Sequence, residues 1–183
     1  MKPFLLLTLL VSALPAITKA QTPTTAKGPD PEFINIIYFW PGDTLRLLEK
    51  TTGEMKTKGM GFIGARGGGG SASLVINGPH SPARLKAGGD IRFAIKLSSM
   101  TDPSSIIKLY RFDAEKRSRE TPMGGDSKHT IDFNIQKSGD DVYILIPATR
   151  LAPGEYAFQD MMMVNTFGMG KMSYTFFAFG VDQ

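Results

Sequence analysis

The segment "DIRFAIKLS" (Asp90 to Ser98) alternates without a break. Ile91, Phe93, Ile95 and Leu97 fall on one side of an extended chain, and Arg92 and Lys96 fall on the other. A period of two is the signature of a β-strand with one buried and one wet face. Working outward, "TIDFNIQ" (Thr130 to Gln136) repeats the pattern through Ile131, Phe133 and Ile135. "DVYILIP" (Asp141 to Pro147) and "YTFFAFGV" (Tyr174 to Val181) are apolar at successive positions, so they are expected at the centre of sheets. "FINIIYFW" (Phe33 to Trp40), "SASLVIN" (Ser71 to Asn77) and "SIIKLYRF" (Ser105 to Phe112) read as further strands, each stopped by turn residues. Helical periodicity is hard to find, so the chain reads as all-β.

The chain opens on an address. Lys2 precedes the apolar run "PFLLLTLLVSALPA", and Thr18 and Ala20 place small residues where a signal peptidase reads them. That is the pattern of a secretory leader over residues 1–20, cut between Ala20 and Gln21. The run falls short of the ~20 apolar residues a membrane span takes. The expected location is therefore the periplasm or the extracellular space. The chain has no cysteine, which excludes a lipoprotein anchor, disulfides and thiolate metal sites, and leaves the core alone to hold the fold.

Lys2 and Lys19 would leave with the leader, which holds no acid, so the formal charge of +4 falls by two. So mild a balance does not point to nucleic acid. "QTPTTAKGPDPE" (Gln21 to Glu32) has almost nothing apolar and reads as a flexible linker. Residues 33–183 are then one domain. Within it, residues 33–63 are expected as a β-hairpin extension turning at "TTGE" (Thr51 to Glu54), and residues 71–183 as the core.

"LAPGEYAF" (Leu151 to Phe158) refines this reading. It resembles the L-x-P-G-x-Y corner of immunoglobulin and fibronectin-type domains, which leads into the penultimate strand. The resemblance runs from Ser71 onward and implies an immunoglobulin-like antiparallel β-sandwich, with Pro153 and Gly154 in the turn and Tyr156 bonding back to backbone. It implies a fold and no activity. In overall style the chain also resembles secreted β-sandwich proteins of Gram-negative bacteria.

Motifs that would carry chemistry are thin. "GARGGGG" (Gly64 to Gly70) lacks the lysine of a phosphate loop and runs into a strand, so it reads as a connector between strands. Half of the ten methionines fall in "MMMVNTFGMGKM": Met161, Met162, Met163, Met169 and Met172. Thioethers favour Cu(I), which makes Met161, Met163, Met169 and Met172 the candidate ligands of a copper carrier, with apolar packing as the plainer reading. Strict alternation would set Met162 on the face opposite Met161 and Met163.

His80 and His129 have no metal-ligand spacing around them and are expected at the surface. No G-x-S-x-G elbow is present. "KLYRFDAEKRSRE" (Lys108 to Glu120) reads as a solvated charged hairpin, and Asp140–Asp141 as a turn. Tyr38, Phe39, Trp40 and Tyr110 would be the platform of a carbohydrate-binding module. The functional expectation is a non-catalytic binding or structural module, with a protein or glycan partner, no catalytic residues and no resident cofactor.

Overall fold

The computed structural model describes residues 28–58, 71–98, 102–123, 128–167 and 171–183, with side chains at all of these but 58 and 162–172. The leader with its Ala20–Gln21 cut, the glycine run Gly64 to Gly70 and Met169 lie outside the described residues.

The strands in chain order are β1 (Ile37–Phe39), β2 (Arg46–Leu47), β3 (Glu49–Lys58), β4 (Ser71–Asn77), β5 (Arg84–Lys86) and β6 (Phe93–Lys96). A single turn of helix, α1 (Pro103–Ile106), follows, capped by the Asp102 carboxylate, which accepts from the Ser104 N–H. Then come β7 (Ile107–Ala114), β8 (Ser118–Met123), β9 (Thr130–Ile131), β10 (Phe133–Gly139), β11 (Val142–Pro147), β12 (Gly154–Phe167) and β13 (Lys171–Asp182). The protein is all-β, as the alternation predicts.

Two sheets form. One has the order β10-β11-β6-β1-β2 and is antiparallel throughout. The other runs β12-β13-β3-β4-β8-β7, and β7 pairs back onto β12. Six antiparallel strands therefore close into a barrel. β5 joins its wall in parallel to β13, and β9 takes the part of β7's edge that β8 leaves.

β12 and β13 are shared by two cores. Tyr156 and Phe158 of β12, with Phe177 and Phe179 of β13, pack in one cluster with Ile37, Phe93, Ile95 and Leu145 of the five-stranded sheet. The alternate residues Ala157, Tyr174, Phe176 and Ala178 turn the other way, into the barrel, with Leu74, Ile76 and Phe112. A strand buried on both faces must be apolar at successive positions. That explains "YTFFAFGV" directly. Phe93 carries the first cluster, with ring centroids 4.8 Å from Phe158 and 4.9 Å from Phe179.

The Tyr156 hydroxyl donates to the Ala152 carbonyl at 2.8 Å, and its ring stacks on Phe179. Burial raises the Tyr156 phenol above its ordinary value, against the nearby charge of Arg111.

Three expectations are corrected. "TTGE" is not a turn: β3 runs straight through it, pairing with β13 on one side and β4 on the other. Gly53 is there for space, because a Cβ would lie 2.6 Å from the Phe176 ring and 2.8 Å from the Val75 carbonyl oxygen. Residues 33–63 are consequently no appended hairpin. β1 and β2 do pair, but β1 also pairs with β6 in the five-stranded sheet, while β3 is a stave of the barrel. Packed residues also occur before Phe33. Pro29 and Pro31 are buried, and Gly28 lies against Ser138. Prolines lose little freedom on ordering, so even a segment poor in apolar residues can dock.

"TIDFNIQ" divides between the sheets. β9 pairs with β7 and β10 pairs with β11, yet Ile131, Phe133 and Ile135 all pack on the same cluster. Among the described residues no helix is long and apolar enough to cross a membrane.

Candidate functional site

At one mouth of the barrel lies an open cleft of about 490 Å³, lined by ends of β5, β7, β12 and β13 and by the loop carrying His80. The alternation that sends Ala157 into the barrel sends Glu155 there too, one step nearer the end. Glu155 is 4% exposed, yet none of its carboxylate valence is wasted. Arg84 Nη1 donates to Oε1 at 2.5 Å and the Ser81 N–H donates to Oε2 at 2.9 Å. His80 Nδ1 lies 3.3 Å from Oε1. An ionised carboxylate only accepts, so against it Nδ1 is the donor, and Nε2 is left to face solvent or ligand.

Arg84 also grips Asp182 through Nε and Nη2. The pair is mutually stabilised: Asp182 first, then Glu155, holds the guanidinium above its ordinary value, and Arg84 holds the Asp182 carboxyl below its own. Gly180 makes this possible, because a Cβ there would collide with the Arg84 guanidinium.

A second arginine stands against Glu155 behind the cleft. Arg119 is 1% exposed and forks onto Glu49, at 2.9 Å from Nη1 to Oε2 and 3.0 Å from Nη2 to Oε1. Its Nε donates to the Gly78 carbonyl at 3.0 Å, and Nη1 stands 3.8 Å from Glu155 Oε2. The solvated charged hairpin of Lys108 to Glu120 thus holds one charged residue, Arg119, that is buried. Its neighbours do form the β7–β8 turn, closed by the Glu115 N–H donating to the Ser118 carbonyl at 2.8 Å.

On the outer wall Arg111 and Asp113 project from β7. Asp113 Oδ2 is 3.1 Å from His129 Nε2. Arg111 has no carboxylate partner among the described residues; its Nη2 reaches only the Pro153 carbonyl, at 3.5 Å. A Cβ on Gly154 would lie 3.5 Å from Arg111 Nε, so the guanidinium rests on the bare backbone of the corner.

Both histidines therefore belong to carboxylate pairs. His80 is exposed as expected, with 66% of its side chain free, but His129 is mostly covered, at 18%. The Ser81 hydroxyl beside His80 is 2% exposed and donates to the Ala178 carbonyl at 3.1 Å, so it is engaged away from any nucleophilic role. No group of three or more His, Cys, Asp or Glu able to hold a metal occurs among the described residues.

The other sequence candidates scatter. Tyr38 is buried and Phe39 packs on Phe93; Trp40 carries the Arg92 guanidinium 4.8 Å above its ring; Tyr110 lies in the other sheet, beside the barrel core. These rings form no common platform. Met161 is 41% exposed, while Met162, Met163 and Met172 contribute backbone only to the description. Lys58 and Ser71 pair across the β3–β4 ladder. Asp141 adopts φ 60° in the turn between β10 and β11.

Glu155, Arg84, Arg119 and Glu49 were not foreseen from sequence. Their partners stand at least 36 residues away, the separation of Arg119 from Glu155, beyond the reach of any local motif. The available signal is an acid at the start of a run that is otherwise apolar on both faces, Glu155 before Tyr156, Ala157 and Phe158.

Against this geometry, no known protein family, no curated protein and no solved structure matches the chain.

Proposed function

We propose that the protein is an exported, non-catalytic binding module of the cell envelope or extracellular space, and that its binding site is the charged mouth of the barrel. One observation carries the reading. Glu155 is buried and fixed by Arg84 of β5 and by His80 and the Ser81 N–H of the preceding loop, beside an Arg111 that has no carboxylate partner among the described residues. A wall whose charges are already paired holds its shape, and the unpaired cation gives a ligand something to win. The export half of the reading rests on the leader at residues 1–20. The immunoglobulin-like sandwich remains the finer fold reading, supported by the Tyr156–Ala152 corner and by the five-stranded sheet packed on the barrel.

A ligand-library thermal shift tests the site, since a ligand bound to the folded state raises Tm by mass action. Ligands of this site lose their shift in Arg111→Gln and in Ala114→Trp, which fills the cleft. Shifts that survive both variants would move binding elsewhere. Exported material should begin at Gln21 by amino-terminal sequencing.

A second reading, the copper carrier, is favoured by one feature. Across the β12–β13 ladder Asp160 pairs with Thr175 and the next pair is Val164 with Tyr174. Residues 161–163 therefore sit in a bulge, where the backbone departs from strict alternation. Cu(I) uptake that falls on replacing Met161, Met163, Met169 and Met172 by Leu would support this reading; no uptake would remove it.

A further inference from the structure

We propose that the mouth of the barrel recognises a short zwitterion of dipeptide size, its carboxylate on Arg111 and its ammonium on Asp113. The inference rests on the binding-site reading above and names the ligand's chemistry.

Charge comes first. Arg84 and Arg111 face Asp113, Glu155 and Asp182 around one cleft. Arg84 is consumed by Glu155 and Asp182. Three acids against two arginines repel a dianion such as phosphate. They accept a carboxylate only if it brings a cation with it.

Position comes second. Arg111 and Asp113 are two residues apart on β7, so their side chains leave the same face, with Cα atoms about 7 Å apart. An extended dipeptide spans about the same distance. Between them Phe112 turns inward, into the barrel cluster.

Readiness comes third. Arg111 is held by the corner: its guanidinium lies on Gly154 and touches the Pro153 carbonyl, which leaves the rest of its fork for a bidentate carboxylate. Asp113 is 66% exposed and meets His129 through Oδ2, so Oδ1 remains for an ammonium.

The test is NMR titration of the full mature chain with alanyl-alanine, its acetylated form without the ammonium, its amide without the carboxylate, and inorganic phosphate. Saturable shifts confined to residues around Arg111, Asp113 and Pro153 are expected with alanyl-alanine. Blocking either end should weaken binding about tenfold or more, as loss of a charge-assisted hydrogen bond does. Arg111→Gln should match the amide's effect and Asp113→Asn that of the acetyl form, each with an unchanged circular-dichroism spectrum. No saturable shift, equal binding of a blocked form, preference for phosphate, or binding indifferent to both substitutions would overturn the proposal. If library ligands still depend on Arg111 and on Ala114 in the thermal assay, only the zwitterion falls and the site stands. If none does, the site falls with it.

Discussion

Glu155 and Gly180 stand opposite each other across the β12–β13 ladder, and the space a side chain would take at Gly180 holds the guanidinium of Arg84 that binds Glu155. A missing side chain on one strand thus lets a cation reach a buried anion on the next.

Gly180→Ala should push Arg84 off Glu155. The steric part is mild, because a guanidinium swings away easily; the loss is one charged hydrogen bond, about 1–3 kcal/mol. Arg84→Ala should cost at least as much, because the Asp182 contacts go as well. Urea denaturation of the double variant should show little beyond Arg84→Ala alone, since the glycine change acts through Arg84.

Arg119 offers a harsher case. Truncating it to Ala leaves Glu49 and Glu155 facing each other over a buried gap, and about 3–5 kcal/mol of stability should go. Arg119→Met combined with Glu49→Leu should be milder than Arg119→Met alone, because the second change removes the stranded charge. Chemical unfolding of the three proteins decides it.

Gly53→Val should be among the most damaging single changes in β3, since its Cβ meets both a ring and a carbonyl oxygen. Overpacking of this kind costs about 1–3 kcal/mol or more. Phe176→Leu should recover part of that loss in the Gly53→Val background while destabilising the wild-type protein. A cycle without such coupling would contradict the packing described.

The two ends of the pH range have separate causes. Asp182 is held below its ordinary value by Arg84, so it adds stability at pH above about 3.9, the unfolded value. That contribution is lost as pH falls through the depressed folded value, and Arg84→Ala should abolish this acid-side slope. Tyr156 is raised by burial, so its contribution is whole below about pH 10 and is lost as pH climbs through the raised folded value. Tyr156→Phe should lose about 0.5–1.5 kcal/mol at neutral pH with the Ala152 bond, and should flatten its share of the alkaline slope. Melting temperatures across both ranges test the signs.

What the sequence made legible is what depends on neighbours along the chain. The alternation of Phe93, Ile95 and Leu97 and the doubly apolar run at Phe176 to Phe179 both come from spacing of a few residues, and both are buried in strands as expected. Gly53 misled because one residue type serves both turns and close packing, and only Phe176, far along the chain, distinguishes the two. Barrel closure was hidden for the same reason: β7 meets β12 through pairs such as Phe112 and Glu155, which no local pattern announces. The mouth of the barrel was least visible. Its charged residues look solvated one at a time and become a site only when five separate segments converge.

β12 and β13 serve as a party wall. Each contributes one face to the barrel's interior and the other to the five-stranded layer, so neither compartment can be emptied while the other stays furnished. Melting should therefore be all-or-none, with the heat absorbed in the calorimeter equal to the enthalpy drawn from the steepness of the transition.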